Sequence, residues 1–285
     1  MMFNKLKIQY NFKIHIGVFR MEINSLFSVK GKTAIVTGGS RGIGEMIASG
    51  FLANGVKVYI SARKAPALIE KANELSEKFQ QECIPVPCDL SSSEGINNFV
   101  TEIKNNEESI DFLINNAGAA WGETFESFSE KGWDKVMNLN VKSMFFLTQQ
   151  FKALLTKNAS LEDPSRVINI GSIDGLNVPA FETYSYSTSK AAVHHLTRVM
   201  AAKLVKENIL VNAIAPGPYP SEMLGSAVNS DYTEIEKRNP RKRVGSAEDI
   251  AGLVIFLCSR AGAYTVGETI TSDGGIVKTS SHNLG

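Results

Sequence analysis

Thr33-Ala34-Ile35-Val36-Thr37-Gly38-Gly39-Ser40-Arg41-Gly42-Ile43-Gly44 decides how this chain folds. A short β-prone run enters a glycine-rich turn, and the turn enters a helical pattern to Asn54 with Ile43, Ile47 and Phe51 on one side. Glycines at such a junction let the chain turn tightly and let backbone N–H groups approach an anion at the positive end of the helix dipole. Strand, turn and helix in that order predict a pyrophosphate-binding β-α-β start.

Outward from there, β-rich runs and helical patterns alternate. Strands are expected at 57–61, 83–88, 111–115, 166–171, 210–215 and 268–271. Helices are expected near 65–80, 93–105, 129–157 and 247–259, with a further one carrying Tyr186 and Lys190. Interleaved strands and helices imply right-handed crossovers, hence an α/β, doubly wound parallel sheet in a single domain. That domain should span 28–285. Within it, 216–246 holds Pro216, Pro218, Pro220 and Pro240 and is expected to be an irregular substrate lid. Before it, Lys5, Lys7, Lys13 and Arg20 precede the first acid, Glu22. Residues 1–27 are expected to be a disordered extension or the product of a misassigned start, with a mitochondrial presequence in 1–20 as the alternative.

Composition excludes several classes. The chain has 285 residues, 43% apolar and 21% charged, and its net charge of +1 gives no pull toward nucleic acid or an anionic membrane. No apolar run reaches the roughly 18 residues of a membrane span. Cys83, Cys88 and Cys258 lack metal-ligand spacing and read as free thiols of a cytoplasmic protein. His194 and His195 are adjacent on a helix and do not face each other, so no metal is expected.

The second strand ends Ser61-Ala62-Arg63-Lys64, without the carboxylate that would bind the ribose 2′-hydroxyl of NAD. Arg63, with Arg41 from the glycine turn, suits a 2′-phosphate, and the cofactor expected is NADP(H). Tyr186 stands four residues before Lys190, which sets a phenol and an ammonium on one helical face. A free phenol has a pKa of about 10, and moving it near 7 takes on the order of 4 kcal/mol of phenolate stabilisation. Lys190 and an oxidised nicotinamide are candidate sources.

The spacing T-G-x-x-x-G-x-G over Thr37 to Gly44 resembles the short-chain dehydrogenase/reductase family, which has a Rossmann sheet. The resemblance extends over about 28–277 and implies a set of site residues. Gly38, Ser40, Arg41, Gly42, Ile43 and Gly44 would contact the cofactor phosphates, and Asp89 and Leu90 the adenine. Asn116, Ala117 and Gly118, in Asn115-Asn116-Ala117-Gly118, would shape the site. Pro216 and Gly217 with Ser221 would lie by the carboxamide, although threonine is usual at the last position. Asn140, Ser172, Tyr186 and Lys190 would be catalytic, the last two also holding the cofactor. In these roles Tyr186 is the proton donor, Ser172 holds the substrate oxygen, and Asn140 supports a water relay from Lys190. Trp121, following the Asn115 strand end, is a pocket candidate.

Asn115 to Gly122, Val167 to Ser172 and Ala261 to Tyr264 resemble the 3-oxoacyl reductases of rhamnolipid biosynthesis. This implies NADPH-dependent reduction of a 3-oxoacyl thioester, on coenzyme A or on an acyl carrier protein. A secondary-alcohol dehydrogenase acting on a sugar, polyol or steroid is the alternative within enzymes, and an NADPH-binding sensor or scaffold the one outside. The run Arg238-Asn239-Pro240-Arg241-Lys242-Arg243 reads either as a site for an acidic carrier or as a solvated face. Relatives pair through the helices near 129–157 and 184–207, implying a homotetramer.

Overall fold

In the computed structural model, residues 22–179 and 181–279 are described. Their elements are α1 (Ile23–Leu26), β1 (Thr33–Thr37), α2 (Gly42–Ala53), β2 (Lys57–Ala62), α3 (Ala65–Phe79), β3 (Cys83–Pro87), α4 (Ser93–Asn106) and β4 (Phe112–Asn115). There follow α5 (Glu130–Met137), a π-helical turn (Asn138–Lys142), α6 (Ser143–Lys157), β5 (Ser165–Ile170), α7 (Tyr184–Leu204) and β6 (Ile209–Pro216). The chain ends with α8 (Glu222–Ala227), α9 (Thr233–Arg238), α10 (Ala247–Cys258), β7 (Thr269–Ser272) and α11 (Ile276–Thr279).

The seven strands form one parallel sheet in the order β3-β2-β1-β4-β5-β6-β7. The order reverses at β1, so the crevice beyond the carboxyl ends of β1 and β4 is the topological switch point where ligands of such sheets bind. Side chains alternate across the sheet. Ala34 and Val36 of β1 join one buried cluster with Phe51 and Phe112, which stack at 5.6 Å. Ile35 joins the other with Phe99 and Phe151, edge to face at 5.9 Å. Both faces of the sheet are thus covered, as its apolar strands require. No described helix is long and apolar enough to cross a membrane.

Strand β3 lies at the edge of the sheet and carries Pro85 and Pro87. The Cys88 N–H donates inward to Ala62 O at 3.0 Å. By the two-residue alternation, positions 85 and 87 point their missing N–H outward, where proline costs the sheet nothing. The outward N–H of Cys83 donates to the Ser76 hydroxyl at 3.0 Å.

Three expectations are revised. The helix expected over 129–157 is interrupted by the turn at 138–142, whose extra residue turns Asn140 inward until it is fully buried. The expected irregular lid contains α8 and α9, because Ser221 accepts the Leu224 N–H at 3.2 Å and Asp231 that of Thr233 at 2.9 Å. Of the extension expected to be disordered over 1–27, residues 1–21 lie outside the described residues. Ile23–Leu26, however, form a helical turn, with Leu26 N–H donating to Glu22 O at 3.0 Å.

Candidate active site

The glycine turn is built by close approaches that side chains would block. Gly38 has φ of +66°, and a Cβ on Gly44 would lie 2.2 Å from Gly38 O. Asn116 fastens the turn to β4, its amide donating to Thr37 O at 2.8 Å and Gly38 O at 3.2 Å. The Thr37 hydroxyl in turn accepts the N–H groups of Asn116 and Ala117 at 2.9 and 3.0 Å. Asn116 is therefore the brace of the turn, and Ala117 and Gly118 form the opposite wall.

The carboxyl ends of the strands open on a cleft of about 1580 Å³. Ser40, Ile43, Arg63, Asp89 and Leu90 line one arm, and Pro216, Gly217 and Ser221 line it from the segment after β6. Asp89 accepts from Ser91 N–H at 3.0 Å and Ser91 Oγ at 2.7 Å, contacts that hold its carboxyl below the usual range, with Arg63 contributing. Arg63 is exposed in the cleft wall and no acid stands at the end of β2. A cradle of backbone N–H groups at the start of α2, free of Cβ atoms at Gly38 and Gly42, fits a dinucleotide phosphate. Arg41 also lines the cleft, and its guanidinium pairs with Glu222 of α8, linking the turn to the segment after β6. Nothing in the sequence around Arg41 announces that distant partner.

The other arm gathers Ser172, Tyr186 and Lys190, three of the four residues expected to be catalytic, while Asn140 is fully buried outside the cleft lining. Lys190 is 4% exposed, donates to Ile170 O at 2.8 Å and holds its Nζ 5.5 Å from the centre of the Tyr186 ring. Burial lowers its pKa to about 8, with the Asp174 carboxylate working against the fall. Burial pushes the Tyr186 phenol up to about 12, eased by the Ser172 hydroxyl and reinforced by Asp174. The protein alone thus keeps the phenol protonated, contrary to the lowering expected from Lys190. Asn140 accepts Ala119 N–H at 2.8 Å, and its amide donates to Ala119 O at 3.0 Å and Ser189 Oγ at 2.9 Å. Ser189 donates to Tyr186 O at 2.7 Å, which links the inward-turned asparagine to the backbone of Tyr186. Tyr184 stands apart, its hydroxyl on Glu182 at 2.9 Å.

Asp174 and Ser189 were not singled out by the sequence, although Asp174 stands in the same Gly171-Ser172-Ile173-Asp174 turn. Trp121, expected in the pocket, instead packs on Gly132 beneath Lys135, whose Nζ is 4.5 Å from the ring centre. His194 and His195 diverge: His194 is buried against Gly171 and Gly175, whereas His195 Nδ1 lies 3.1 Å from Arg198. Burial lowers His194 to about 4, so it is a neutral packing ring. In the basic run, Arg243 is bidentate to Asp249 at 2.5 and 3.0 Å and Lys242 donates to Lys237 O at 2.6 Å. Those two cations serve the local fold.

Residues 38–277 match the family model described as enoyl-(acyl carrier protein) reductase. The chain is 45% identical, over 251 residues, to the rhamnolipids biosynthesis 3-oxoacyl-[acyl-carrier-protein] reductase of Pseudomonas aeruginosa, covering 87% of this chain and 97% of that one. The chain belongs to the short-chain dehydrogenase/reductase family. Among solved structures, this short-chain reductase superposes on the Pseudomonas aeruginosa RhlG/NADP active-site complex with a TM-score of 0.85. The identity there is 44%, over 89% of this chain and 99% of that chain. It also resembles the L-sorbose reductase of Gluconobacter frateurii complexed with NADPH and L-sorbose, at TM-score 0.81 and 29% identity over 89% and 99% of the two chains. As a short-chain dehydrogenase/reductase, the protein is an oxidoreductase.

Proposed function

We propose that the protein is an NADPH-dependent carbonyl reductase acting on a 3-oxoacyl thioester. The observation that carries this reading is the convergence of the Tyr186 phenol, the Ser172 hydroxyl and the buried Lys190 at the inner end of one cleft. Bound in the other arm, NADPH supplies the hydride. Tyr186 gives its proton to the carbonyl oxygen as negative charge develops there, and Ser172 holds that oxygen in line. A phenol kept protonated by its surroundings suits this reductive direction. Lys190 supplies positive charge beneath the phenol and orients it, and Asn140 fixes the helix that carries both.

Two things support the thioester. One is the relative that reduces 3-oxoacyl groups. The other is an apolar cleft mouth, where Val178, Phe181 and Met223 are exposed and suit an acyl chain. The test is a panel of ketones assayed by NADPH consumption, with acetoacetyl groups on coenzyme A and on acyl carrier protein in separate arms. Turnover of either thioester is expected, and the two arms identify the carrier. Turnover confined to sugar ketones or steroids would transfer the assignment to the secondary-alcohol reading.

The NADP preference rests on Arg63 and on the absence of an acid at the end of β2. A charge-assisted hydrogen bond is worth about 1.5–3 kcal/mol, so Arg63→Ala is expected to weaken NADPH binding by about 10- to 100-fold. NADH binding should stay within about twofold, and equal losses for both in a fluorescence titration would refute the role. We further propose a cytoplasmic homotetramer, since the outer faces of α6 and α7 expose Phe145, Phe146 and Val199. Light scattering should give the mass of four subunits, and a single-subunit mass would overturn this.

A further inference from the structure

Helix α7 carries His194 four residues beyond Lys190 and eight beyond Tyr186, so the three side chains share one helical face. The chemistry uses the first two and leaves the third without a task. His194 is 4% exposed, and neither ring nitrogen completes a hydrogen bond among the described residues, the Gly175 backbone being the polar group it approaches. A buried polar ring in that state costs more than an apolar side chain of similar size would. What the ring gains lies in the turn at 171–175, which carries Ser172 to the Tyr186 phenol. A Cβ on Gly171 would lie 2.1 Å from His194 Nε2 and 2.6 Å from Cδ2, and one on Gly175 would lie 2.9 Å from Cε1. One rim of the imidazole thus bears on both ends of the turn. Neither glycine has a positive φ, so backbone conformation does not call for glycine at either place. At Gly171 the nearest obstacle to a side chain is the ring itself. Lys190 clamps the same turn just before its start, through the bond to Ile170 O at 2.8 Å.

We propose that His194 is a positioning residue for the reaction: its ring props the 171–175 turn against α7 and so fixes the Ser172 hydroxyl opposite the Tyr186 phenol. The inference rests on the reading of Tyr186 and Ser172 as the groups that meet the carbonyl oxygen. A serine placed only by the end of β5 would be referenced to the sheet, whereas the phenol is carried by a helix packed on that sheet. The prop refers both groups to the same helix face. A flat ring suits a slot bounded by two bare glycines, where a branched or bulkier side chain would drive the turn away. Burial holds the imidazole neutral, so it adds no charge beside Lys190 and its influence is one of place. A shift of about 1 Å in a group that must meet the reacting atoms costs on the order of 100-fold in rate, which is the scale on which such a prop acts.

The test exchanges size between ring and turn and reads kcat, with NADPH, on whichever ketone of the panel the wild type reduces. His194→Ala is expected to lower kcat by about 10- to 100-fold. The NADPH Kd, read by fluorescence titration, should change by less than about threefold, because the glycine turn at 38–44 is untouched. Gly171→Ala alone pushes the turn against the ring and should lower kcat to a similar degree. Gly171→Ala combined with His194→Ala is expected to be at least about tenfold faster than Gly171→Ala, since the methyl enters the space the ring leaves. In a Ser172→Ala background, His194→Ala should cost less than about threefold, because the group it positions is gone. Where His194→Ala does not fold, His194→Gln, which keeps length without the ring, takes its place in the same comparisons. Full additivity with Ser172→Ala, or a paired variant no faster than Gly171→Ala, would show that the ring supports the fold at large and would overturn the proposal. So would wild-type kcat in His194→Ala. If wild type reduces no ketone in the panel, the carbonyl-reductase reading fails and this inference falls with it. Turnover of the panel with additive variants overturns the His194 role alone.

Discussion

Tyr186→Phe is expected to lower the rate of ketone reduction by about 10²- to 10⁴-fold, the range a positioned general acid contributes. NADPH affinity should change by less than about threefold, since the ring and its packing above Lys190 remain. The effect belongs to kcat because the phenolic proton is needed only as charge appears on the substrate oxygen. Burial holds the phenol near 12, so it stays protonated across the neutral range and its own titration leaves the reductive profile flat there. The group that titrates is Lys190, lowered to about 8. Its charge is complete well below that pH and is lost as pH rises through it, so the wild-type reductive rate should fall on the alkaline side. Stopped-flow single turnovers and a pH series check both points. A phenylalanine variant with wild-type kcat would remove Tyr186 from the chemistry.

Gly44→Ala should be equally damaging for a different reason. The added methyl would lie 2.2 Å from Gly38 O, a backbone atom, and 2.4 Å from Asn116 Nδ2, an amide held by its hydrogen bonds to Thr37 O and Gly38 O. Relief requires the glycine turn to move away from the start of α2, at a cost of about 1–3 kcal/mol in stability. The displaced N–H groups also lose their aim at the cofactor phosphates. Two charge-assisted hydrogen bonds at about 1.5–3 kcal/mol each correspond to at least about a 100-fold rise in the NADPH Kd. Urea unfolding and fluorescence titration measure the two effects separately. Wild-type affinity in a folded Gly44→Ala protein would mean that the turn does not hold the phosphates.

The strands were readable because buried parallel strands are short apolar runs bounded by turn residues, and all seven fall within a residue or two of their expected places. The π-helical turn was not, since Asn138 to Lys142 breaks no propensity and only the packing of Asn140 against Ala119 and Ser189 fixes the extra residue. Helices α8 and α9 were hidden among prolines and glycines, although the Ser221 hydroxyl caps the first of them. The resemblance supplied the spacing of Asn140, Ser172, Tyr186 and Lys190, and the fold brings the last three to one cleft while Asn140 is buried against Ala119 and Ser189. The pairing of Arg41 with Glu222 was not legible, since the two lie far apart in the chain and only the fold brings α8 to the glycine turn. Trp121 had a warning in Gly132, the gap into which its indole fits.

The outer rim of β3 has a consequence for how copies of this protein meet. With proline at 85 and 87 and the Cys83 N–H held by Ser76, that rim offers a passing strand almost no donors. Growth of the sheet from this side is therefore closed off chemically, whatever the concentration. Any contact between copies must therefore use surfaces other than this rim, which leaves that side of the molecule guarded against open-ended stacking.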